Sequence, residues 1–146
     1  MTELVSGSCV CGLVSFEISG PFDSFYFCHC SRCQKSSGSA HATNIFGRLD
    51  RISWLSGQTE IKKFELAEAE FFNKSFCSNC GSPVPHTARS GDFLIIPAGS
   101  LNSDPGVRPQ NNIFWDDRAA WYDEGCKSRK FSGAGVAAGY GGRNRS

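Results

Sequence analysis

The stretch CVCG at residues 9–12 constrains the fold because a second stretch of the same kind, CSNCG, lies at residues 77–81. Each contains two closely spaced cysteines and ends in a glycine. In a tight turn around a metal ion, backbone N–H groups point at the thiolate sulfurs, and glycine tolerates the positive φ with which the chain leaves the turn. The two stretches therefore predict a closed four-sulfur site that joins distant parts of the chain, with the ligands Cys9, Cys11, Cys77 and Cys80.

The predicted four-sulfur site is strong enough to be part of the fold. A structural zinc ion bound by thiolates contributes an apparent ~10–16 kcal/mol, whereas a whole domain is stable by only ~5–15 kcal/mol. The alternative is that the four residues are buried free cysteines. Isolated core cysteines, however, have no reason to occur at metal-ligand spacing.

A third cluster lies between the other two, in FCHCSRCQKSSG at residues 27–38. It offers three thiols, and a zinc site with three protein ligands and one open position is typical of catalytic zinc. The predicted ligands of this second zinc are Cys28, Cys30 and Cys33. Four side chains remain candidates for closing the open position: His29, His41, His86 and Cys126. In an extended segment, His29 would point away from the cysteines on either side of it.

The composition favours one domain in a reducing compartment. The chain has 146 residues, 40% of them hydrophobic, which suffices for one sizeable core. The start of the sequence has no features of a signal peptide, and no apolar run is long enough to span a membrane. We therefore expect a cytoplasmic protein, in which the clustered cysteines among the eight bind metal and do not form a disulfide framework. Fifteen basic and fourteen acidic residues argue against broad binding of nucleic acid.

Apolar alternation and turn residues predict a mostly-β fold. A single domain is expected over residues 1–132, followed by a flexible glycine-rich tail at 133–146. The run at 92–101 is nearly continuously apolar, which is consistent with a strand buried on both faces. A short helical turn is expected after Cys33, and a helix at 116–125 ending at Gly125. The strands are expected at 13–18, 23–27, 41–46, 51–56, 59–66, 70–76, 92–101 and 111–117.

The cysteine clusters, taken together and in order, match a known pattern. GSCVCGLVSFEI (7–18), CHCSRCQKSSGS (28–39) and FCSNCGSPV (76–84) resemble the glutathione-dependent formaldehyde-activating enzyme family, a carbon–sulfur lyase-like group that also includes centromere protein V. IFWDDRAAWYD (113–123) is similar to the C-terminal signature of that family. The resemblance implies a β-tent fold with two zinc ions per chain, divided between the clusters as above. It also implies formation of S-(hydroxymethyl)glutathione from glutathione and formaldehyde.

A glutathione-binding groove needs donors for carboxylates, and the sequence offers several candidates. Arg32 and Lys35 lie beside the middle cluster, and Trp115 is a candidate wall of a pocket. Each also has a plainer interpretation, as a solvated surface charge or a core aromatic residue. Asp116 and Asp117 are candidates for a general base or for capping the helix that follows.

Two alternatives to the lyase hypothesis stay open. In the first, both zinc ions are structural and the domain is a non-catalytic interaction module, which a fourth protein ligand at the middle cluster would favour. In the second, Cys126 is the nucleophile of a methionine-sulfoxide-reductase-like activity, which would require an exposed thiol with a lowered pKa.

Overall fold

The computed structural model describes residues 3–134, which contain eleven strands and two α-helices. The helices are short, Ser31–Ser37 (α1) and Tyr122–Lys127 (α2). The strands are Leu4–Ser8 (β1), Ser15–Ser19 (β2), Ser24–Cys28 (β3), Ala42–Gly47 (β4), Ile52–Ser56 (β5), Ile61–Glu65 (β6), Asn73–Cys77 (β7), Pro83–Val84 (β8), His86–Thr87 (β9), Leu94–Pro97 (β10) and Asn111–Ile113 (β11). The predicted mostly-β class is confirmed.

The strands of residues 3–134 form three sheets, with the orders β1-β2-β5, β11-β3-β4-β10-β9 and β6-β7-β8. Every pairing is antiparallel except that of β11 with β3, which is parallel. A parallel neighbour cannot be reached by a tight hairpin, so β11 returns to β3 from far along the chain. This return brings the C-terminal part of the domain to the end of β3, where Cys28 lies.

The main core lies between the first sheet and the five-stranded sheet. β1 and β2 contribute Val5, Phe16 and Ile18, and the five-stranded sheet contributes Phe25, Ile45, Leu94 and Ile96. The Phe16 ring is fully buried and meets Trp54 edge-to-face, with 5.6 Å between ring centroids. A second, smaller core contains Cys9, Val14, Cys77 and Val84, so two of the predicted metal ligands are themselves core residues.

Strand β10 corrects one prediction. The apolar run at 92–101 was expected to be buried on both faces, but the strand covers only Leu94–Pro97 and its burial alternates. Leu94 and Ile96 belong to the main core, whereas Ile95 and Pro97 line a cavity on the opposite face. The second face is apolar because it forms a cavity floor, and an apolar cavity wall looks like a core strand in sequence.

The C-terminal elements differ from their predictions in extent. The strand expected at 111–117 ends at Ile113, because Phe114 adopts a left-handed conformation (φ 54°) and a 3-10 turn follows over Trp115–Asp117. The helix expected at 116–125 is Tyr122–Lys127, so Gly125 lies inside it rather than ending it. The helical turn after Cys33 is confirmed, since Cys33 lies in α1. Strands β1, β8 and β9 were not predicted.

The predicted tail at 133–146 lies mostly outside the described residues, and the domain limits of 1–132 stay a prediction. Within residues 3–134, no helix is long and apolar enough to cross a membrane.

We predict that Gly57→Ala is far more destabilising than Gly106→Ala. Both glycines have positive φ, 70° and 77°, so each substitution carries a conformational cost of ~1–2 kcal/mol. At Gly57 the added Cβ would also overlap the backbone carbonyl of Leu13, whereas at Gly106 no atom lies within 4 Å. Overlap with backbone adds ~1–3 kcal/mol. Urea unfolding of both variants measures the difference, and equal losses of stability would contradict the packing described at Gly57.

Candidate metal centres and ligand cavity

The four cysteines of the first and third clusters meet at one point. Their Sγ atoms all lie within 4.8 Å of one another. The Cys9 and Cys11 sulfurs are 3.5 Å apart, and those of Cys11 and Cys77 are 3.9 Å apart. Tetrahedral zinc with Zn–S bonds of ~2.3 Å needs sulfurs ~3.8 Å apart. The four sulfurs, which include Cys80, fit a zinc ion, and we call them the quartet.

The two turns that carry the quartet each end in a glycine with positive φ, as predicted. Gly12 and Gly81 have φ of 79° and 75°. Their N–H groups donate to the carbonyls of Cys9 and Cys77, at 3.1 and 2.8 Å. The N–H of Val14 donates to the Cys9 sulfur at 3.3 Å. The Val14 N–H therefore offers a hydrogen bond to the Cys9 sulfur before any ion is bound, while the glycine N–H groups close the two turns.

Ser82, which was not predicted as a site residue, joins the two turns. Its Oγ accepts from the N–H of Val10 at 3.1 Å and lies 3.2 Å from the Cys80 sulfur. Hydrogen bonding from the Ser82 hydroxyl, followed by its backbone N–H, lowers the pKa of the Cys80 thiol to about 5. The only sequence signal was its place directly after CSNCG, where a serine is unremarkable on a surface loop.

The three cysteines of the middle cluster also converge, with their sulfurs within 4.8 Å of one another. We call them the trio. Cys28 ends β3, Cys30 is the N-cap of α1, and Cys33 lies in the first turn of that helix. The N–H of Cys33 donates to the Cys30 sulfur at 3.4 Å, so a ligand doubles as the cap. Hydrogen bonding from Cys33 lowers the pKa of Cys28 to about 6, and the same contact raises the pKa of Cys33.

The C-terminal segment holds the trio in place. The Gln34 side-chain amide donates to the carbonyl of His29 at 2.6 Å and to that of Asp117 at 2.9 Å. The backbone N–H of His29 donates to the carbonyl of Ile113 at 3.0 Å. The His29 ring is fully buried, and its Nε2 donates to Oδ1 of Asn112 at 2.8 Å. These contacts join both ends of the trio to β11 and the turn after it.

The candidate fourth ligands lie elsewhere. Among residues 3–134, no side chain of histidine, cysteine, aspartate or glutamate other than the trio has a ligand atom grouped with the three sulfurs. His29 packs edge-on against the rings of His41 and Tyr122. His41 stacks on Phe27, with 4.2 Å between centroids, and it lines the cavity described next. Cys126 is exposed on α2.

The trio lies in the wall of a cavity of about 650 Å³, within the range of small-molecule sites. Its apolar floor is the face of the five-stranded sheet opposite the main core, and β7 and β8 contribute another wall. On that floor Asn44 lies opposite Pro97, and Phe46 opposite Ile95. The cavity combines an apolar floor with a few charged groups on its walls, Arg32, Glu70 and Lys74.

Only one of the three residues predicted to contact the substrate lines the cavity. Arg32 lines the cavity, whereas Lys35 and Trp115 are not among its lining residues. Trp115 packs against His29, with 5.1 Å between centroids, and the Arg118 guanidinium lies 4.4 Å from its ring. Lys74 was missed because an isolated lysine in a strand looks like a solvated charge. The role of the three predicted residues in substrate binding stays a prediction.

Two exposed aromatic residues that line the cavity were also not predicted from the sequence. Phe71 and Phe114 line the cavity and are 70% and 61% exposed, unusual values for phenylalanine. Phe114 is the residue in left-handed conformation, which costs ~1–2 kcal/mol for an L-residue. Phe114 therefore combines a strained backbone conformation with an exposed aromatic side chain at the cavity.

Comparison with known sequences agrees with this geometry. The profile of the family described as "Glutathione-dependent formaldehyde-activating enzyme" matches residues 4–117. The chain belongs to this family. It is similar to a Halomonas elongata protein named "Putative glutathione-dependent formaldehyde-activating enzyme", with 34% identity over 126 residues, 82% of this chain and 80% of that protein. In the present chain, a member of the glutathione-dependent formaldehyde-activating enzyme family, the matched residues 4–117 contain both the quartet and the trio.

A solved structure supports the fold. The crystal structure of a Rhodobacter sphaeroides protein, a structural genomics target, superposes with a TM-score of 0.56 at 23% identity. The superposition covers 73% of this chain and 97% of that chain. This likeness shows the fold alone, and it agrees with the expected single-domain, mostly-β, β-tent class.

We predict that the quartet and the trio respond differently to removal of a ligand. Cys77→Ser removes a fully buried sulfur from the point where two sheets meet, so we expect loss of cooperative folding and of both metal ions. Cys33→Ser should leave a folded protein with one ion per chain instead of two. Metal content by mass spectrometry and near-ultraviolet circular dichroism measure both outcomes. A folded Cys77→Ser protein with unchanged metal content would contradict the assignment.

We also predict that one thiol of the trio titrates near pH 6 in metal-free protein. The Cys28 thiol has a lowered pKa, so it is a thiolate above about pH 6, whereas an ordinary cysteine becomes one near pH 8.5. Thiolate absorbance in the ultraviolet follows the titration. Cys33→Ala removes the main hydrogen-bond donor, so the transition should move to higher pH. A transition unchanged in Cys33→Ala would show that another group lowers the pKa.

Proposed function

We propose that this protein is a zinc-dependent enzyme of carbon–sulfur lyase type that joins glutathione to a small aldehyde, as an S-(hydroxymethyl)glutathione synthase does. The observation that supports this most directly is the position of the trio. Three clustered thiols border a cavity of about 650 Å³, with no fourth donor grouped with them in residues 3–134. Structural zinc sites are instead filled by four protein ligands, as the quartet would be.

The proposed division of labour gives the quartet a structural zinc and the trio a second zinc. Cys28, Cys30 and Cys33 would hold this second zinc ion, which would supply an open coordination position and lower the pKa of a thiol placed there. The chain's own residues do the rest. Phe46 and Ile95 give the floor of the cavity apolar surface, and Arg32 provides a positive charge in the wall that also contains Cys30 and Cys33.

The reaction itself needs no oxidant or reductant. The glutathione thiol loses its proton, its sulfur forms a bond to the aldehyde carbon, and the electron pair of the C=O π bond moves to oxygen. That oxygen takes up a proton, so glutathione and formaldehyde together give S-(hydroxymethyl)glutathione with no other product. Holding the thiolate beside the aldehyde in a cavity converts a bimolecular encounter into an oriented one, which is the main contribution available to this site.

The alternative of a non-catalytic interaction module is less well supported. It would be favoured by a buried histidine as fourth ligand, whereas the trio borders a cavity and no histidine of residues 3–134 is grouped with it. The proposal includes a cytoplasmic location, where eight thiols stay reduced and glutathione is abundant.

The test is adduct formation from glutathione and formaldehyde, followed by NMR and compared with the spontaneous reaction. The zinc-loaded protein should accelerate it, and protein from which mild chelation has removed the trio's metal should not. Cys33→Ser should lose the acceleration. Cys126→Ser is the matched control, because Cys126 is exposed and belongs to neither cluster, so its activity should equal that of the wild type. Equal rates with and without the trio's metal would refute the proposal.

A further inference from the structure

The floor of the ligand cavity has an order along strand β4. Ala42, Asn44 and Phe46 share the face of β4 opposite the core residue Ile45, and all three line the cavity. Ala42 lies opposite Cys28 of the trio, whereas Phe46 lies four residues further along the strand. Because a strand rises ~3.3 Å per residue, Phe46 is about 13 Å from the trio's end of the floor. The floor therefore has a sulfur end and a distant end.

The distant end of the floor carries apolar surface that the rest of the protein leaves partly uncovered. Phe46 lies opposite Ile95 of β10, and both side chains are half-buried and line the cavity. The Phe46 ring packs against Tyr26 and Phe93, with 5.6 and 5.4 Å between ring centroids, so its position is fixed by aromatic neighbours. Covering such surface with an apolar group is favourable in proportion to the area removed from water. We call Phe46 and Ile95 the apolar pair.

Neither glutathione nor formaldehyde makes use of the apolar pair. Formaldehyde has a single carbon, so a molecule held at the trio cannot reach a residue about 13 Å away. The arms of glutathione end in carboxylates and an ammonium group, and a charge placed against apolar surface loses its hydration without gaining a partner. The charged residues that line the cavity, Arg32, Glu70 and Lys74, come from α1, the β6–β7 connection and β7, not from the strands of the floor. The distant end of the floor therefore fits a hydrocarbon group.

We propose that the aldehyde joined to glutathione carries a hydrocarbon chain, and that Phe46 and Ile95 bind this chain. This inference rests on the proposed function and adds the class of the second substrate: aliphatic aldehydes with a chain of several carbons, not formaldehyde alone. The glutathione sulfur bonds to the aldehyde carbon beside the trio, and the π electrons of the C=O bond move to oxygen. That oxygen takes up the proton that the thiol loses. The product is an S-(1-hydroxyalkyl)glutathione, whose chain lies along β4 past Asn44 and ends at the apolar pair.

The first experiment uses S-alkylglutathiones, which are stable analogues of this product and differ only in chain length. Calorimetry on the zinc-loaded protein measures the affinity for the S-methyl, S-butyl, S-hexyl and S-octyl compounds. Each methylene that is fully buried raises the affinity about fourfold. Since only the outer part of a chain reaches the apolar pair, we expect the S-hexyl compound to bind about tenfold or more tightly than the S-methyl compound. Equal affinities across the series would overturn the inference.

Substitutions in the apolar pair test whether the chain lies there. Ile95→Thr keeps a β-branched side chain in the strand and replaces apolar surface by a hydroxyl. It should lower the ratio of S-hexyl to S-methyl affinity by about fourfold, as for the loss of one buried methylene. Phe46→Ala should lower the ratio further, and if this variant does not fold, the ratio in Ile95→Thr decides. An unchanged ratio in folded Ile95→Thr would overturn the assignment.

Phe64→Ala is the matched control. Phe64 is a phenylalanine on β6 that is 48% exposed and lines neither cavity, so its loss should leave the ratio of the two affinities at the wild-type value. The melting temperature and zinc content of each variant are measured in parallel. A ratio lowered as much in Phe64→Ala as in Ile95→Thr would show that the apolar pair has no specific role, and would overturn the inference.

A second experiment measures the reaction itself. Propanal, butanal and hexanal differ little in the reactivity of their carbonyl groups, and dividing each catalysed rate by the spontaneous rate removes the remaining difference. The enhancement should increase from propanal to hexanal, and Ile95→Thr should reduce this increase. An enhancement that stays constant or falls with chain length would overturn the inference.

The outcomes distinguish this inference from the proposed function. If the zinc-loaded protein accelerates the reaction with formaldehyde but binds all S-alkylglutathiones equally, the proposed function stands and the hydrocarbon subsite is refuted. If it accelerates the reaction of no aldehyde, both are refuted.

Discussion

The convergence of four sulfurs from two sheets is the constraint on which the rest of this structure depends. Cys9 follows β1 of the first sheet, and Cys77 ends β7 of the third. The three sheets of the described chain share no strand, so their relative position must be fixed by packing and by this junction. A thiolate-bound zinc contributes ~10–16 kcal/mol, as much as the whole net stability of an ordinary domain. Two of the four sulfurs, those of Cys9 and Cys77, are buried in the smaller core, so an ion held by the quartet would lie against that core.

The position of the third sheet in turn creates the cavity. One face of the five-stranded sheet is used by the main core, and the other would be exposed to water if β7 and β8 were not held beside it. Residues of β7 and β8, among them Lys74 and Val84, form the wall facing the floor made by β4 and β10. The quartet and the trio therefore have complementary roles: one fixes the walls, and the other supplies sulfur at the edge of the space between them.

The sequence predicted the parts that depend on local chemistry. The grouping of seven cysteines followed from glycine placement and ligand count, and most strands followed from alternation. Long-range features were not predictable: Ser82 links two turns and Gln34 reaches Asp117, both through contacts between residues distant in sequence. The prediction that β10 is buried on both faces was wrong. A run of apolar residues indicates apolar surface, but it does not distinguish a face packed in the core from a face that lines a cavity. The prediction that the helix ends at Gly125 was wrong, because the position of a short helix depends on tertiary packing more than on the propensity of a single residue.

The late return of β11 sets an order of events during synthesis. Domains emerge from the ribosome N-terminal end first, at ~5–20 residues per second. Cys28, Cys30 and Cys33 are thus made long before Asn112, Ile113 and Asp117, whose backbone and side chains hold them. The nascent trio is a set of free thiols on an unfinished sheet edge, open to oxidation or to capture of a wrong ion. Until the last strand docks, the loop that carries those sulfurs lacks its hydrogen bonds to Ile113 and Asp117.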